Sequence, residues 1–224
     1  MAVAAFTNKG LQVPPLSKET LQEQVFRHVT ELILDGSIVP GEMVTVQSLA
    51  DAFGVSPMPV REALRRLTAA NALTVVSGRS IGIPRLSLAR LADLRNVRIE
   101  IEAIAAGWAA ERREDDLMPL LARHLEEMEK SIAGGDVKGY LRGNYAFHFA
   151  IYNAAGSENL LRIIENLWLQ ISPYFNMLHG SYTVANEHHQ EMFRSMRDRD
   201  AEAVREAVRA DIDAAYRVLA RLLD

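Results

Sequence analysis

The part of the chain that most constrains its fold is residues 45–67, where a sharp turn separates two short helical patterns. The first pattern has its apolar residues on one face, at Leu49, Ala50 and Phe53. The second has an apolar stripe at a spacing of i, i+4, i+7, formed by Val60, Leu64 and Leu67. Gly54 lies between them and readily adopts the left-handed conformation that such a turn needs. The segment is therefore predicted to form a helix-turn-helix.

The second of these helices has a start signal and a polar face. Ser56 can cap its first turn, and Pro57 suits the first helical position, where a missing N–H has no cost. Met58, Arg61 and Arg65 lie opposite the apolar stripe, so one face can pack while the other enters a DNA groove. The alternative is that these arginines only form a solvated surface.

The neighbouring segments complete a larger unit. Residues 73–76 and 81–83 are short runs rich in β-branched residues, and the Ser-Gly-Arg-Ser tetrapeptide at 77–80 joins them, which predicts a β-hairpin wing. Upstream, residues 20–35 have apolar residues at helical spacing and should form a supporting helix.

These residues resemble a known family. The run from Ile33 to Glu42, with Leu49-Ala50 and the segment from Gly54 to Leu67, closely resembles the winged-helix domain of GntR-type bacterial regulators. The resemblance covers roughly residues 17–85. It implies binding to operator DNA.

Three positions depart from the family's usual sequence. Gln47 and Pro57 stand where the family usually has arginines, and Met58 replaces a threonine. Arg61 keeps the arginine of the recognition helix. We therefore expect an operator that departs from the family's common one. The expected DNA-binding residues are Gln47, Ser56, Met58, Arg61, Arg65, Gly78 and Arg79.

Composition agrees with a two-domain protein. The chain has 224 residues, 49% of them hydrophobic, and no cysteine, which excludes disulfides and thiolate metal sites. No stretch approaches the roughly 20 apolar residues of a membrane span, and no signal sequence is evident, so a cytoplasmic location is expected. We predict a flexible arm over residues 1–16, a DNA-binding domain over 17–85 and a helical effector-binding and dimerisation domain over 86–224.

The net charge of −4 is distributed unevenly between these parts. Residues 1–85 contain 8 Lys and Arg against 7 Asp and Glu, whereas residues 86–224 contain 17 against 22. The acidity therefore belongs to the second half. A modest charge at the DNA-binding end is sufficient if the arginines are concentrated on the recognition helix and wing, and if two copies act together.

Helical periodicity continues from residue 87 to the end of the chain. Breaks at glycines and polar pairs divide it into six predicted helices, at residues 87–112, 115–133, 136–154, 158–178, 184–197 and 200–222. The expected fold class is mainly α, with an N-terminal winged helix-turn-helix, its small β-hairpin and a C-terminal all-α bundle.

The second half also resembles a known domain. Its motifs are Val97-Arg98 with Glu102, the run from Asn144 to His148, the run from Ala155 to Leu161, and Glu187-His188-His189 ahead of Asp200. They resemble the ligand-sensing FCD domain of the FadR branch of GntR regulators, in its six-helix VanR-like subgroup. The resemblance implies a homodimer that responds to a small effector.

The resemblance also implies a divalent metal site. Family members commonly bind the metal through one Asp and three His, and the matching positions here are Asn144, His148, His189 and Asp211. Two residue types differ from the family, but the ligand charge is unchanged, and the set suits Zn²⁺, with Ni²⁺ or Mn²⁺ as alternatives. Otherwise the histidines and Asp211 would form only a buried hydrogen-bonded network. His188 is expected to be exposed.

Arg98 occupies a position where the family places an arginine that can face the effector. A guanidinium beside an open metal position would suit a small carboxylate. The alternative is an i, i+4 surface pair with Glu102. Trp108 and Trp168 lie in apolar periodic segments and are expected in the core or the pocket wall.

Three functions are compatible with these patterns. The first is a transcriptional regulator whose operator affinity is controlled by a small organic acid. The second is a metal-dependent enzyme fused to a DNA-binding domain, although no convincing general base or nucleophile accompanies the histidines. The third is a dimeric DNA-binding protein without an effector.

Overall fold

The computed structural model describes residues 20–77, 80–112 and 116–223. Most of these residues are helical, and a small antiparallel sheet lies in the N-terminal part. The expected combination of a winged helix-turn-helix and a C-terminal helical bundle is confirmed. The arm expected over residues 1–16 lies outside the described residues.

Three helices form the helix-turn-helix and its support: α1 (Leu21–Leu34), α2 (Val46–Phe53) and α3 (Pro57–Ala69). Gly54 ends α2 in the left-handed conformation with φ of 64°, as the turn requires. The apolar stripe predicted on α3 is buried and packs towards α1, whose own buried residues are Val25, Val29 and Ile33. Packing of this stripe leaves the arginine-bearing face of α3 outside.

The start of α3 differs from the prediction in one respect. Ser56 occupies the position before the helix, but its side chain makes no capping hydrogen bond within the described ranges. Pro57 stands at the first helical position, as expected. A side-chain cap is found instead at α2, where Thr45 and Ser48 accept hydrogen bonds from each other's backbone N–H groups. Ser56 itself is exposed.

Three strands form the sheet: β1 (Met43–Thr45), β2 (Thr74–Ser77) and β3 (Ser80–Gly82). The hairpin of β2 and β3 confirms the predicted wing, although Gly78 and Arg79 at its tip lie outside the described residues. The strand β1 was not predicted. It pairs with β3, where Val44 lies opposite Ile81, and so it ties the wing to the start of α2.

Six helices follow in the described part of the chain: α4 (Leu88–Arg112), α5 (Leu117–Gly134), α6 (Val137–Ala154), α7 (Glu158–Ile171), α8 (Tyr182–Asp198) and α9 (Ala201–Leu223). The predicted helix over 158–178 was too long. It ends at Ile171 and continues as a 3₁₀ helix, Ser172–Ser181. Pro173 explains the change, because its ring clashes with the carbonyl one turn earlier in an α-helix and it lacks an N–H.

A cluster of polar side chains is buried in the otherwise apolar interior of the bundle. The long helices α4 and α9 pack along each other, α5 packs on α6, and α8 packs against both α5 and α9. Charged and imidazole side chains are buried among them, at exposures of 4% or less: Arg98, Glu102, His148 and His189. Burial of such groups is costly unless they have partners, so this interior marks the candidate site.

The 3₁₀ helix connects the bundle to the N-terminal part. The Tyr174 hydroxyl donates a hydrogen bond to the Pro84 carbonyl, in the segment that follows the wing. Close by, the Arg90 guanidinium donates to the Asn71 carbonyl at 3.0 Å.

In the described part of the chain, no helix is both long enough and apolar enough to span a membrane.

Candidate functional site

Three of the four predicted metal ligands meet in the bundle interior. His148 on α6 and His189 on α8 have their Nε2 atoms 3.2 Å apart. The Asp211 carboxylate on α9 approaches both, at 3.5 Å from His148 Nε2 and 3.7 Å from His189 Nε2. The ligand atoms of all three residues lie within 4.8 Å of one another. Asn144, one helical turn before His148, is 9% exposed and lines the adjoining cavity.

In each histidine, the hydrogen-bond partner of Nδ1 determines which ring nitrogen carries the proton. His148 Nδ1 lies 3.1 Å from the Tyr152 hydroxyl, which donates to Glu102 Oε2 at 2.6 Å. Because that phenol proton is engaged, its oxygen accepts from His148 Nδ1–H. His189 Nδ1 faces Asn186 Oδ1 at 3.4 Å, which is also an acceptor. Each imidazole is thereby oriented with an unprotonated Nε2 towards the other.

Electrostatics keep these imidazoles neutral. Burial, with contributions from His189 and Arg98, holds the pKa of His148 well below its usual range. Burial and the nearby His188 lower the pKa of His189 to about 3. Burial, opposed by Arg98 and reinforced by Glu102, raises the pKa of Asp211 to about 7. At neutral pH both histidines therefore offer lone pairs, which metal binding requires.

The donor set fits a divalent metal ion. Two unprotonated nitrogens facing each other at 3.2 Å repel unless a cation lies between them. In a tetrahedral zinc site with Zn–N bonds of about 2.0–2.1 Å, two ligand nitrogens are separated by about 3.3–3.4 Å. Hydrogen-bonded outer partners of the kind seen at His148 and His189 are typical of metal ligands. A buried hydrogen-bonded network alone accounts less well for this arrangement.

Arg98 forms a buried ion pair next to this cluster. Its Nε donates to Glu102 Oε1 at 2.5 Å and its Nη2 donates to Glu102 Oε2 at 3.3 Å. Glu102 also accepts from the Trp168 indole N–H at 3.0 Å. The sequence analysis considered an i, i+4 pair of Arg98 with Glu102 on the surface. The pair is present but wholly buried, so the predicted surface location was wrong. Neither hydrogen bond uses Arg98 Nη1.

An inner cavity of about 40 Å³ lies beside the cluster. Arg98, Asn144, His148 and Asp211 supply its polar wall, and Tyr140 contributes a hydroxyl with no hydrogen-bond partner among the described residues. The apolar wall includes Trp168, as predicted, with Phe175 and Leu178 of the 3₁₀ helix. The cavity therefore combines a cationic side chain, a candidate metal centre and an unpaired hydroxyl.

Several residues of the site were not predicted. Tyr140 and Tyr152 lie on α6 at four-residue intervals from Asn144 and His148, so helical spacing could have shown that they share a face. Asn186 lies three residues before His189, and a similar argument applies to it. His188 is half-buried rather than exposed.

The predicted DNA-binding residues that the structure describes lie on α2, on α3 or in the turn before α3. Gln47 and Arg61 line a concavity between α2, α3 and the wing, together with Val75 and Ile81. Met58 is 65% exposed on the same helix as Arg61. Arg65 is exposed and forms an ion pair with Glu62 at 2.6 Å. Among the described arginines of α3, Arg61 is thus the one directed into the concavity.

Comparisons with known proteins agree with this architecture. Residues 21–83 match the profile of the bacterial regulatory proteins of the gntR family, and residues 93–214 match the FCD domain. The Escherichia coli regulator McbR is 27% identical over 191 residues, covering 83% of this chain and 86% of McbR. The solved structure of E. coli McbR/YncC has 25% identity and a TM-score of 0.84, covering 92% of this chain and 100% of that one.

A second relative and the family itself settle the broad class of function. The Bacillus subtilis regulator YdhC is 26% identical over 193 residues, covering 84% of this chain and 85% of YdhC. Family members and these relatives are transcriptional regulators, so the alternative of a metal-dependent enzyme is excluded. The chain belongs to the GntR family of bacterial transcriptional regulators and carries an FCD domain behind its DNA-binding winged helix.

Proposed function

We propose that this regulator is a homodimer whose operator affinity is controlled by a small organic acid bound beside a divalent metal ion. In this proposal residues 17–85 bind DNA, and residues 86–224 dimerise and bind the effector. The observation that carries the proposal is the cluster of His148, His189 and Asp211 beside a cavity whose wall includes His148, Asp211 and Arg98.

The metal would be held by His148, His189 and Asp211, with Asn144 as the fourth predicted ligand. Neutral imidazoles and a carboxylate suit Zn²⁺ best, with Ni²⁺ or Mn²⁺ as alternatives. When bound, the ion supplies a Lewis-acidic position that attracts carboxylate oxygens. The outer hydrogen bonds from Tyr152 and Asn186 support this assignment, because they keep both Nε2 atoms directed inward.

The acid would be recognised by donors that the protein itself leaves available. Arg98 Nη1 is not used in the bonds to Glu102, and the Tyr140 hydroxyl has no partner within the described residues. An anion in the inner cavity would accept from both groups. Since an unpaired buried hydroxyl costs free energy, its presence favours a ligand-binding role over a purely structural one.

The 3₁₀ helix offers a route from the cavity to the DNA-binding part. Phe175 and Leu178 line the inner cavity, while the adjacent Tyr174 donates to the Pro84 carbonyl beyond the wing. Binding that moves this helix would change the placement of the two DNA-binding parts in the dimer. The coupling must then be reciprocal, so DNA weakens effector binding by the factor by which the effector weakens DNA binding.

An exposed apolar face on α4 supports the homodimer. Val97, Ile104 and Trp108 recur at i, i+7 and i+11, so they share one side of the helix. They are 41%, 37% and 43% exposed, and Trp108 is therefore not the core residue expected from the sequence. Apolar faces of this kind mark interaction sites, and a second copy of α4 would cover it.

Proposed operator contacts come from the recognition helix and the wing. The concavity beside the wing is lined by Gln47 and Arg61, and Met58 is exposed on the adjoining surface of α3. Ser56 and Arg65 flank them, and Gly78 and Arg79 are expected at the wing tip. Two copies would present two such surfaces to a pseudo-palindromic operator.

The first test is elemental analysis of the purified full-length protein. We expect near-stoichiometric metal in the wild type and none in the His148→Ala/His189→Ala variant, with His179→Ala as the control that keeps its metal. A thermal-shift screen of small carboxylates, followed by operator titrations with each stabilising acid, then tests effector control. Absence of metal from the wild type, after dialysis against zinc, would contradict the metal assignment while leaving DNA binding unaffected.

A further inference from the structure

A second, outer cavity adjoins the inner one and is left without a role by the proposed function. It has a volume of about 220 Å³ and shares Leu178, Ala185, Asp211 and Ala215 with the inner cavity. The 3₁₀ helix, α8 and α9 each contribute to this shared wall. The two cavities are therefore neighbouring compartments with Asp211 at their boundary.

The two cavities differ in volume and can therefore hold ligand groups of different size. The inner cavity of about 40 Å³ has room for about three water-sized groups, which corresponds to the heavy atoms of one carboxylate. Any acid much larger than acetate must extend beyond it. The outer cavity exceeds the volume of about 150 Å³ that is sufficient for benzene in an apolar protein cavity.

The chemistry of the outer cavity is apolar. Beyond the shared residues, its wall consists of Val184, Ala214 and Val218, with Ser181 as a polar neighbour. Apart from Asp211 at the boundary, this described wall carries no charged side chain that could pair with a second carboxylate. An apolar group would be favoured there, because burying it removes hydrocarbon surface from water.

We propose that the effector is a monocarboxylate with a short alkyl chain or a single aromatic ring, whose carboxylate enters the inner cavity and whose apolar part fills the outer one. This inference rests on the proposed acid-sensing function and adds the class of acid. Val184 and Val218 are then the residues that determine which acids bind. A dicarboxylate of similar length is disfavoured, because its second charge would lie against the apolar wall near Asp211.

Calorimetric titration of the full-length, zinc-supplied protein tests this inference with acetate, butyrate, hexanoate, benzoate and succinate. We expect the Kd to fall about threefold to fourfold for each methylene added between acetate and hexanoate. Benzoate should bind more tightly than acetate, and succinate more weakly than butyrate. Equal affinities along the series, or succinate as the tightest ligand, would overturn the inference while leaving acid sensing in place.

A pair of variants locates the apolar part. Val184 is 55% exposed, so Val184→Trp should fold normally while filling the outer cavity. Hexanoate should then bind no better than acetate. Ile163→Trp, at a site that is 49% exposed on α7, is the matched control and should keep the chain-length dependence. A chain-length dependence that persists in Val184→Trp would refute this location. If no carboxylate binds the wild type, acid sensing itself fails, and this inference fails with it.

Discussion

The Nε2 atoms of His148 and His189 face each other at 3.2 Å, while their second ring nitrogens are directed towards Tyr152 and Asn186. The two histidines come from α6 and α8, so the contact depends on tertiary packing and not on local sequence. Because both outer partners act as acceptors, neither ring can readily donate a proton across the gap. This arrangement directs both Nε2 lone pairs into the gap between the rings, as the proposed metal ion would require.

Removal of the Tyr152 hydroxyl should weaken metal binding. The variant Tyr152→Phe deprives His148 Nδ1 of its partner at 3.1 Å, and loss of such outer partners lowers metal affinity about 10-fold to 100-fold. Zinc competition with a chromophoric chelator measures the change. Tyr216→Phe on α9 is the control and should retain wild-type affinity. Unchanged zinc affinity in a folded Tyr152→Phe protein would show that this hydroxyl does not orient the ligand.

The Arg98–Glu102 ion pair should contribute to stability as a unit. Arg98→Met leaves the wholly buried Glu102 carboxylate without its cation, and such a loss costs about 3–5 kcal/mol. Adding Glu102→Gln removes the unpaired charge, so the double variant should be more stable than Arg98→Met alone. Urea denaturation of both variants provides the comparison. Additive losses in the double variant would show that the two residues stabilise the fold independently.

The elements that could be predicted are those with a repeated local signal. The stripe of Val60, Leu64 and Leu67 and the turn at Gly54 depend on residues close in sequence, and the structure contains both. The strand Met43–Thr45 could not be predicted, because three residues carry no usable period and their pairing partner lies about 37 residues away. The strand β1 pairs with β3, so its formation depends on the wing.

The candidate site was predictable only in part for a related reason. The resemblance to the FCD domain identified His148 and His189, but it carried no information about their outer partners. Glu102 reaches the Tyr152 hydroxyl from α4, and Tyr140 is of interest because no described residue satisfies its hydroxyl. Such relationships arise from packing and from unmet hydrogen-bonding capacity, which a single sequence does not display.

The apolar face of α4 should be required for dimerisation. Trp108→Glu places a charge within the proposed interface and should convert the protein to a monomer, because a buried unpaired carboxylate is strongly unfavourable. Light scattering coupled to size-exclusion chromatography gives the mass directly. Ile163→Glu, on the exposed surface of α7, is the control and should remain dimeric. A dimeric Trp108→Glu protein would place the interface elsewhere.

Arg61 should contribute more to operator recognition than its neighbour Arg65. Arg61 lines the concavity beside the wing, whereas Arg65 is paired with Glu62. If Arg61 reads a base, Arg61→Ala should weaken specific binding by about 1–3 kcal/mol and reduce the preference at one base pair. Fluorescence anisotropy with operators selected from a random DNA pool measures both effects, with Arg197→Ala on α8 as the control. An equal loss on all sequences would identify a phosphate contact instead.

Tyr140 should affect stability and effector binding in opposite directions. Its buried hydroxyl has no partner within the described residues, and such a group destabilises a fold by about 1–3 kcal/mol. Tyr140→Phe should therefore raise the thermal midpoint of the effector-free protein, while weakening binding of an acid that would accept from this hydroxyl. Tyr182→Phe is the control for a hydroxyl that has a partner. The Tyr182 hydroxyl donates to the Phe175 carbonyl at 3.1 Å, so its removal should lower the thermal midpoint. Calorimetry and thermal unfolding separate the two effects. A Tyr140→Phe protein that is less stable and binds the acid unchanged would assign the hydroxyl a structural role.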